Sequence, residues 1–344
     1  NNRMNAHGIL IDVVSRLQSK KGLDLIKTKI LNNNNDILVG THSLLNNHLY
    51  LANIGLLIID EEHRFGVSQK EKIKQFKTSI DVLSMSATPI PRSLNLALSG
   101  IYSISLLQTP PLMRFPIITH IKLFDENIIR DAILFEVSRG GQVYFVHNNI
   151  QSIKSCSDRL RKLLPHQNIQ NIHGKEAART IENKMEKFIS GSIDVLVATS
   201  IIEVGIDVPN ANCIIINNAH LFGLSQLYQM RGRVGRSYRQ AYAYLFLPTG
   251  YKTHAQANKR LKSITENVKL GSGYNISRSD MEIRGAGSLF GFKQSGGGGS
   301  VGYEMYLRLI QRTFHGSGKL NSNFTILPED VNIEIYSKRL IPNL

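Results

Sequence analysis

Short aliphatic and β-branched runs, each closing abruptly in polar or charged residues, constrain the fold of this chain more than any other feature. "DILVGTH" (Asp36–His42), "IGLLIIDEE" (Ile54–Glu62) and "DVLSMSAT" (Asp81–Thr88) form a first series. "GGQVYFVHN" (Gly140–Asn148), "SIDVLVATS" (Ser192–Ser200), "NCIIINNA" (Asn212–Ala219) and "AYAYLFLP" (Ala241–Pro248) form a second. Such runs are apolar throughout instead of alternating, the pattern of parallel strands buried on both faces. Between them, "VSQKEKIKQFKTS" (Val67–Ser79), Ser152–Leu164 and Thr180–Ser190 read as helices. Strand–helix–strand repetition predicts an α/β protein with parallel sheets. The series are separated by "QTPPLMRFP" (Gln108–Pro116), whose adjacent prolines can continue neither a helix nor a central strand. Two α/β lobes joined by a proline-marked hinge are therefore expected.

Near Gly250 the alternation stops. "HAQANKRLKSITEN" (His254–Asn267) reads as a helix, and a glycine-dense stretch follows, with four consecutive glycines at Gly296–Gly299. The 344 residues suit about two ordinary domains, and 42% hydrophobic content suits folded ones. The apolar runs are too short and interrupted to span a bilayer. Cys156 and Cys213 stand apart, with no CxxC pair to suggest zinc or redox chemistry, so a cytoplasmic setting is expected. Lysine plus arginine (41) exceeds aspartate plus glutamate (26), and the resulting +15 favours a polyanionic partner.

The charges closing "LLIIDEEH" fall at the carboxyl end of an apolar strand, where open α/β sheets bind ligands. Asp60 is placed to hold Mg2+, directly or through water, and Glu61 to orient or deprotonate a water near a γ-phosphate. An aliphatic run ending in acids is weak evidence alone. In "SATPIPR" (Ser86–Arg92), Ser86 and Thr88 offer hydroxyls that can hydrogen-bond back to such a cluster. "ATSIIEVGIDVP" (Ala198–Pro209) supplies Thr199, Glu203, Gly205 and Asp207 after another strand. "QLYQMRGRVGRS" (Gln226–Ser237) spaces Arg231, Arg233 and Arg236 with glycines: the arginines offer forked donors, and the glycines let backbone approach a phosphate.

Together "DEEH", "SATPIPR", "ATSIIEVGIDVP" and "QMRGRVGR" resemble motifs II, III, V and VI of the superfamily 2 helicases and translocases. "GTHSLL" (Gly40–Leu45) resembles motif Ib, and "QVYFVHN" motif IV. "SATPIPRSLNLALSG", "GLSQLYQMRGRVGR" and "MEIRGAGSLFGFKQSG" are similar to the bacterial transcription-repair coupling factors and their relatives, the RecG-type branched-DNA helicases. Glu62 favours the former. The resemblance covers roughly 15–306 and implies two RecA-like lobes, the first incomplete at its amino end, followed by a helical translocation hairpin and loop. It implies domains at 1–113, 114–250, 251–315 and 316–344, the last the start of a truncated region.

The same resemblance implies roles. Asp60 and Glu61 would serve Mg2+ and water, and His63 would couple the nucleotide to DNA through Ser86 and Thr88. Gly205 and Asp207 would touch the nucleotide, and Gln229 would sense its γ-phosphate. Arg233 and Arg236 would be arginine fingers. Thr41, His42 and Thr199 would lie along DNA, and Arg284 and Gln294 would act in translocation. ATP and Mg2+ are the implied cofactors and double-stranded DNA the implied partner. RNA polymerase and the excision-repair damage-recognition protein would be met through regions mostly outside this sequence.

No G-x-x-x-x-G-K-[ST] occurs in these 344 residues. "GSGKL" (Gly316–Leu320) has Thr313 where the first glycine belongs. Without an initiator methionine or a phosphate loop, the sequence is expected to be the motor portion of a longer translocase. The competing expectation is a DNA-binding remnant of a truncated gene that cannot turn over ATP.

Overall fold

The computed structural model describes residues 7–14, 20–32, 34–46, 54–62, 65–66, 68–69, 72–73, 80–88, 103–107, 109, 114–203, 207–251, 255–267 and 271–284. The chain divides into two compact units, Asn1–Leu94 with Ser105–Arg284 and Asn95–Ile104 with Gly285–Leu344. Both predicted lobes belong to the first unit. The second lies almost entirely outside the described residues.

In the amino-terminal part, β1 (Ile11–Val14) pairs in parallel with β2 (Ile37–Gly40), and α1 (Lys20–Leu31) lies between them in sequence. β3 (Leu56–Asp60) pairs in parallel with β4 (Asp81–Met85). Each pair is packed on one face. Val14 meets Ile26 of α1, with Leu23, Ile30 and Leu38 around them. Ile59 packs with Leu45 and Ile73, flanked by Leu57 and Val82. Residues 68–69 and 72–73 are helical, in keeping with the predicted helix after β3; the rest of that segment lies outside the described residues.

The second lobe carries a six-stranded, wholly parallel sheet. Its strands are β5 (Ile118–Leu123), β6 (Gln142–Val146), β7 (Ile169–Ile172), β8 (Val195–Ala198), β9 (Ala211–Ile216) and β10 (Tyr242–Leu247). They lie in the order β5-β10-β9-β6-β8-β7. Every residue of β6, β8 and β9 is buried, which requires helices on both faces. Alternate residues divide between two cores. Val143, Phe145, Val197 and Ile215 pack with Ile133 of α2 (Glu126–Ser138) and Leu160 of α3 (Ile153–Leu163). Tyr144, Val146, Leu196 and Ile214 pack with Phe188 of α4 (Ala178–Ile189), Leu227 of α5 (Leu224–Arg231) and Leu261 of α6 (Ala255–Glu266). A final described helix, α7 (Gly273–Arg284), follows α6 as the second arm of a helix pair.

Asp125 caps α2 by accepting a 2.8 Å bond from the Asn127 amide. The downstream end of the proline-marked segment is tied to the second lobe, where Arg114 Nε donates to the Gly235 carbonyl (2.9 Å) and Gln240 Nε2 to that of Pro116 (2.7 Å). Gly235 has φ +72, and a Cβ there would lie 3.2 Å from both Ala241 Cβ and Ile117 Cγ1. Both conditions favour glycine at this turn within the arginine segment.

Candidate active site

Asp60 ends β3 with its carboxylate exposed, paired in register with Met85 of β4. Glu61 leaves the strand in the left-handed region at φ +52, where only Asn218 joins it among the described non-glycine residues. Its amide still donates to the Met85 carbonyl at 3.0 Å, so the sheet ladder holds the backbone in this costly conformation. The turn aims the side chain at the end of β4, where Ser86 Oγ donates to Glu61 Oε2 at 3.0 Å. Ser86 Oγ also lies 2.9 Å from the Thr88 carbonyl and accepts from the Thr88 amide at 3.2 Å.

Thr88 is buried, and its hydroxyl accepts from Gln229 Nε2 at 3.0 Å. A continuous polar chain thus runs from Glu61 in the first lobe, through Ser86 and Thr88, to α5 of the second. Gln229 reaches this position because α5 starts after Gly223, whose amide donates to Gln226 Oε1 (3.1 Å), and ends at Gly232. The helix buries Leu224, Leu227 and Met230 against the sheet.

The arginines beyond Gln229 divide into two kinds. Arg236 is half-buried and pairs with the exposed Asp207 (Nη1 to Oδ1, 3.1 Å) while Nε lies 3.3 Å from the Gly232 carbonyl. Arg233 is buried, and its charge together with that of Arg236 acts on the phenol of Tyr144. Burial pushes that phenol up to about 12 against the pull of the two guanidinium groups. Arg231 is an anchor: Nη1 donates to the Ile264 carbonyl (2.7 Å) and Nη2 to that of Asn267 (2.9 Å), with the guanidinium over the Tyr228 ring. Burial lowers its affinity for a proton. Tyr228 in turn takes a backbone hydrogen bond from Gly273, the first residue of α7. The approach is close enough that a Cβ on Gly273 would sit 1.9 Å from the Ala87 carbonyl. Ala87 lies between the two hydroxyls of the polar chain, so α5, the α6–α7 pair and the turn after β4 converge here.

The remaining predicted site residues are dispersed. Thr41 is exposed just after β2, and His42 opens the short 3-10 helix that follows. Thr199 is buried at the carboxyl end of β8. His63, Gly205 and Gln294 lie outside the described residues; Arg284 ends α7, but its side chain is not among those described. The residues that sequence reasoning left unassigned are Tyr228, Arg231 and Gly273. Only the glycine spacing around Arg231 hinted at them.

Asp60 and Glu61 are hard oxygen donors on one strand end, and no cluster of three or more metal-ligating side chains occurs among the described residues. This donor set fits Mg2+, which binds through one or two carboxylates and completes its shell with water and phosphate oxygens.

Residues 125–238 match the family model described as helicase conserved C-terminal domain, and residues 2–97 that of the DEAD/DEAH box helicases. The chain is 41% identical over 337 residues to a transcription-repair-coupling factor of Escherichia coli, covering 97% of this chain and 29% of that protein. It is 46% identical over 306 residues to a chloroplastic ATP-dependent DNA helicase of Arabidopsis thaliana, covering 88% of this chain and 37% of the relative. A solved structure of RecG bound to a three-way DNA junction aligns at 32% identity and a TM-score of 0.65, covering 90% of this chain and 41% of that one. The chain thus spans under a third of the coupling factor's length. The motif order, the two RecA-like folds and these alignments agree: the chain joins a DEAD/DEAH box helicase domain to a helicase conserved C-terminal domain, and along 97% of its length it is similar to a transcription-repair-coupling factor.

Proposed function

We propose that this chain is the motor portion of an ATP-dependent double-stranded DNA translocase that displaces stalled RNA polymerase and couples transcription to nucleotide excision repair. The observation that carries the reading is the polar chain Glu61–Ser86–Thr88–Gln229, which joins a carboxylate beside the Mg2+ position to the arginine-bearing helix of the other lobe. Asp60 would hold Mg2+ and Glu61 would orient water. Bound ATP and its metal would supply triphosphate charge, which Asp60 and Glu61 would meet from the first lobe and Arg233 and Arg236 from the second. Arg236 rests on an exposed, weakly bound Asp207, so a phosphate can compete for it. Without that competitor the guanidinium pairs with Asp207, and the Thr88–Gln229 bond still bridges the lobes. Alternation of this kind moves the DNA-facing residues, Thr41 and His42 on one lobe and Thr199 on the other, relative to one another. Arg231 and Gly273 give the helix pair α6–α7 a direct hold on the same junction.

The test is steady-state ATP hydrolysis with duplex DNA and Mg2+. A protein in which these residues follow a phosphate loop should hydrolyse ATP, and Glu61→Gln should reduce turnover by about 100-fold or more, the scale of a positioned general base. The 344 residues alone, without a phosphate loop, should show negligible turnover. Turnover by them at an intact motor's rate, lost on Glu61→Gln, would overturn that last expectation; an intact motor indifferent to Glu61→Gln would overturn the role of Glu61. A second reading, a RecG-like branched-DNA helicase, is favoured by the structural alignment to RecG. Displacement of a stalled polymerase without branch migration of a three-way junction separates the first from the second. A DNA-binding remnant would do neither.

A further inference from the structure

Asn212, the second residue of β9, has no part in the site described above, yet it is completely buried and both ends of its carboxamide are engaged. Its Oδ1 accepts from Ser237 Oγ at 2.7 Å. Its Nδ2 donates to Glu136 Oε1 (3.3 Å) and to the Asn210 carbonyl (3.1 Å). Ser237 directly follows Arg236 in sequence, and Asn210 lies three residues after Asp207. One buried side chain therefore bonds both of the segments that carry the Arg236–Asp207 ion pair.

The orientation of this carboxamide is set from its other side. Glu136, near the end of α2, is fully buried and paired with Arg139, whose Nε lies 2.9 Å from Oε2. Arg139 Nη2 continues to the Gln240 carbonyl (2.7 Å), and so holds the far end of the segment that Ser237 begins. The Glu136 carboxylate and the Asn210 carbonyl only accept, so turning the amide over would set Oδ1 against two acceptors with no donor between them. Oδ1 must therefore face Ser237. The Ser237 hydroxyl has little freedom in return, because it accepts from the Arg239 amide at 3.4 Å and donates its proton to Asn212. A buried polar network satisfied in this way rigidifies what it joins. We propose that Asn212, oriented by Glu136, is a positioning residue for Arg236. It fixes the separation of the Arg236 and Asp207 segments, and thereby sets how readily the guanidinium passes from Asp207 to a phosphate. The proposal rests on the nucleotide-dependent reading above. A purely structural network would contribute stability and leave that exchange of partners untouched.

The test reads Arg236 directly in the full 344-residue chain, by nuclear magnetic resonance of the arginine side chains. The Nε–H of Arg236, which faces the Gly232 carbonyl at 3.3 Å, is assigned by its loss in Arg236→Lys. Ser237→Ala removes the bond to Asn212 at a half-buried position, and Ser237→Thr keeps the hydroxyl. Asn212→Asp keeps the shape and replaces two donors with an acceptor. Exchange of the Arg236 Nε–H with water should quicken about tenfold in Ser237→Ala, the scale of one hydrogen bond, and keep the parental rate in Ser237→Thr. Asn212→Asp should match Ser237→Ala; where its second buried carboxylate prevents folding, the serine pair carries the comparison. Titration with sodium tripolyphosphate should shift the same signal, with half-saturation about tenfold higher in Ser237→Ala and restored in Ser237→Thr. Parental exchange and parental half-saturation in a folded Ser237→Ala chain would overturn the proposal. A lowered melting temperature with neither readout moved would overturn it too, since that is the result of a structural role alone. A parent whose Arg236 signal ignores tripolyphosphate counts against the nucleotide reading, and the exchange comparison then decides the positioning role by itself.

Discussion

At the residue scale, the two lobes are joined where a threonine hydroxyl meets a glutamine amide. Thr88→Val keeps the shape and removes the hydroxyl that accepts from Gln229 Nε2, so a buried hydrogen bond between the lobes is lost. It should cost about 1–3 kcal/mol in chemical denaturation. Asp207→Asn removes only an exposed ion pair and should cost under about 1 kcal/mol. Gly273→Ala drives a Cβ towards the Ala87 carbonyl and should cost about 1–3 kcal/mol, the range for overpacking. His147 sets a pH dependence. Its Nδ1 lies 3.2 Å from the Asn217 amide and its Nε2 2.8 Å from Ser152 Oγ, and burial lowers its pKa from 6.5. The unfolded chain therefore binds a proton more readily than the folded one. The resulting stability is present above 6.5 and lost as pH falls below it, so the urea midpoint should drop between pH 7 and pH 5 by less in His147→Gln than in the parent. The cysteines behave in the opposite sense. Burial pushes the Cys156 thiol up to about 11 and Cys213 higher still, so neither should react quickly with a thiol reagent at pH 8, and Cys213 only on unfolding.

Among elements, the helix pair depends on an arginine that belongs to another helix. Arg231 bonds two carbonyls at the carboxyl end of α6, a task that requires a planar fork. Arg231→Lys keeps the charge but reaches one carbonyl at a time, so hydrogen exchange should quicken in the last turn of α6 while β6 and β9 stay protected. The sequence made some elements plain and others not, for physical reasons. β6, β8 and β9 are buried on both faces and so are uniformly apolar, which is why their runs are readable. β7, with the sequence IQNI, and β5, with ITHIKL, are sheet edges whose polar residues erase the signal. Helix α1 carries Gly22 among five basic or acidic positions and owes its place to Ile26 and Leu23 packing under β1. For the site, residue types and their order were legible, because phosphate chemistry restricts them. The pairings were not: Gln229 and Thr88 are 141 positions apart, and nothing local says that Arg236 finds Asp207 or that Arg231 serves as an anchor.

For the whole molecule, a net charge of +15 gives a direct measurement. Duplex affinity should fall steeply and linearly on a logarithmic salt axis, since phosphate contacts release counterions; a flat response would exclude such contacts. The strand order has a separate consequence, for synthesis. β5 is the first strand of its sheet to leave the ribosome, and its lasting neighbour is β10, the last, with Ile118 facing Tyr242. Until residue 247 has emerged, β5 has no partner, and the aliphatic rows of β6, β8 and β9 wait beside an open edge. Loop closure across such a span is slow. A nascent chain that has emerged only as far as Arg236 would therefore hold a nearly complete sheet that cannot shut. Emergence of the residues that follow the arginine segment is the point in synthesis at which this chain most needs a chaperone.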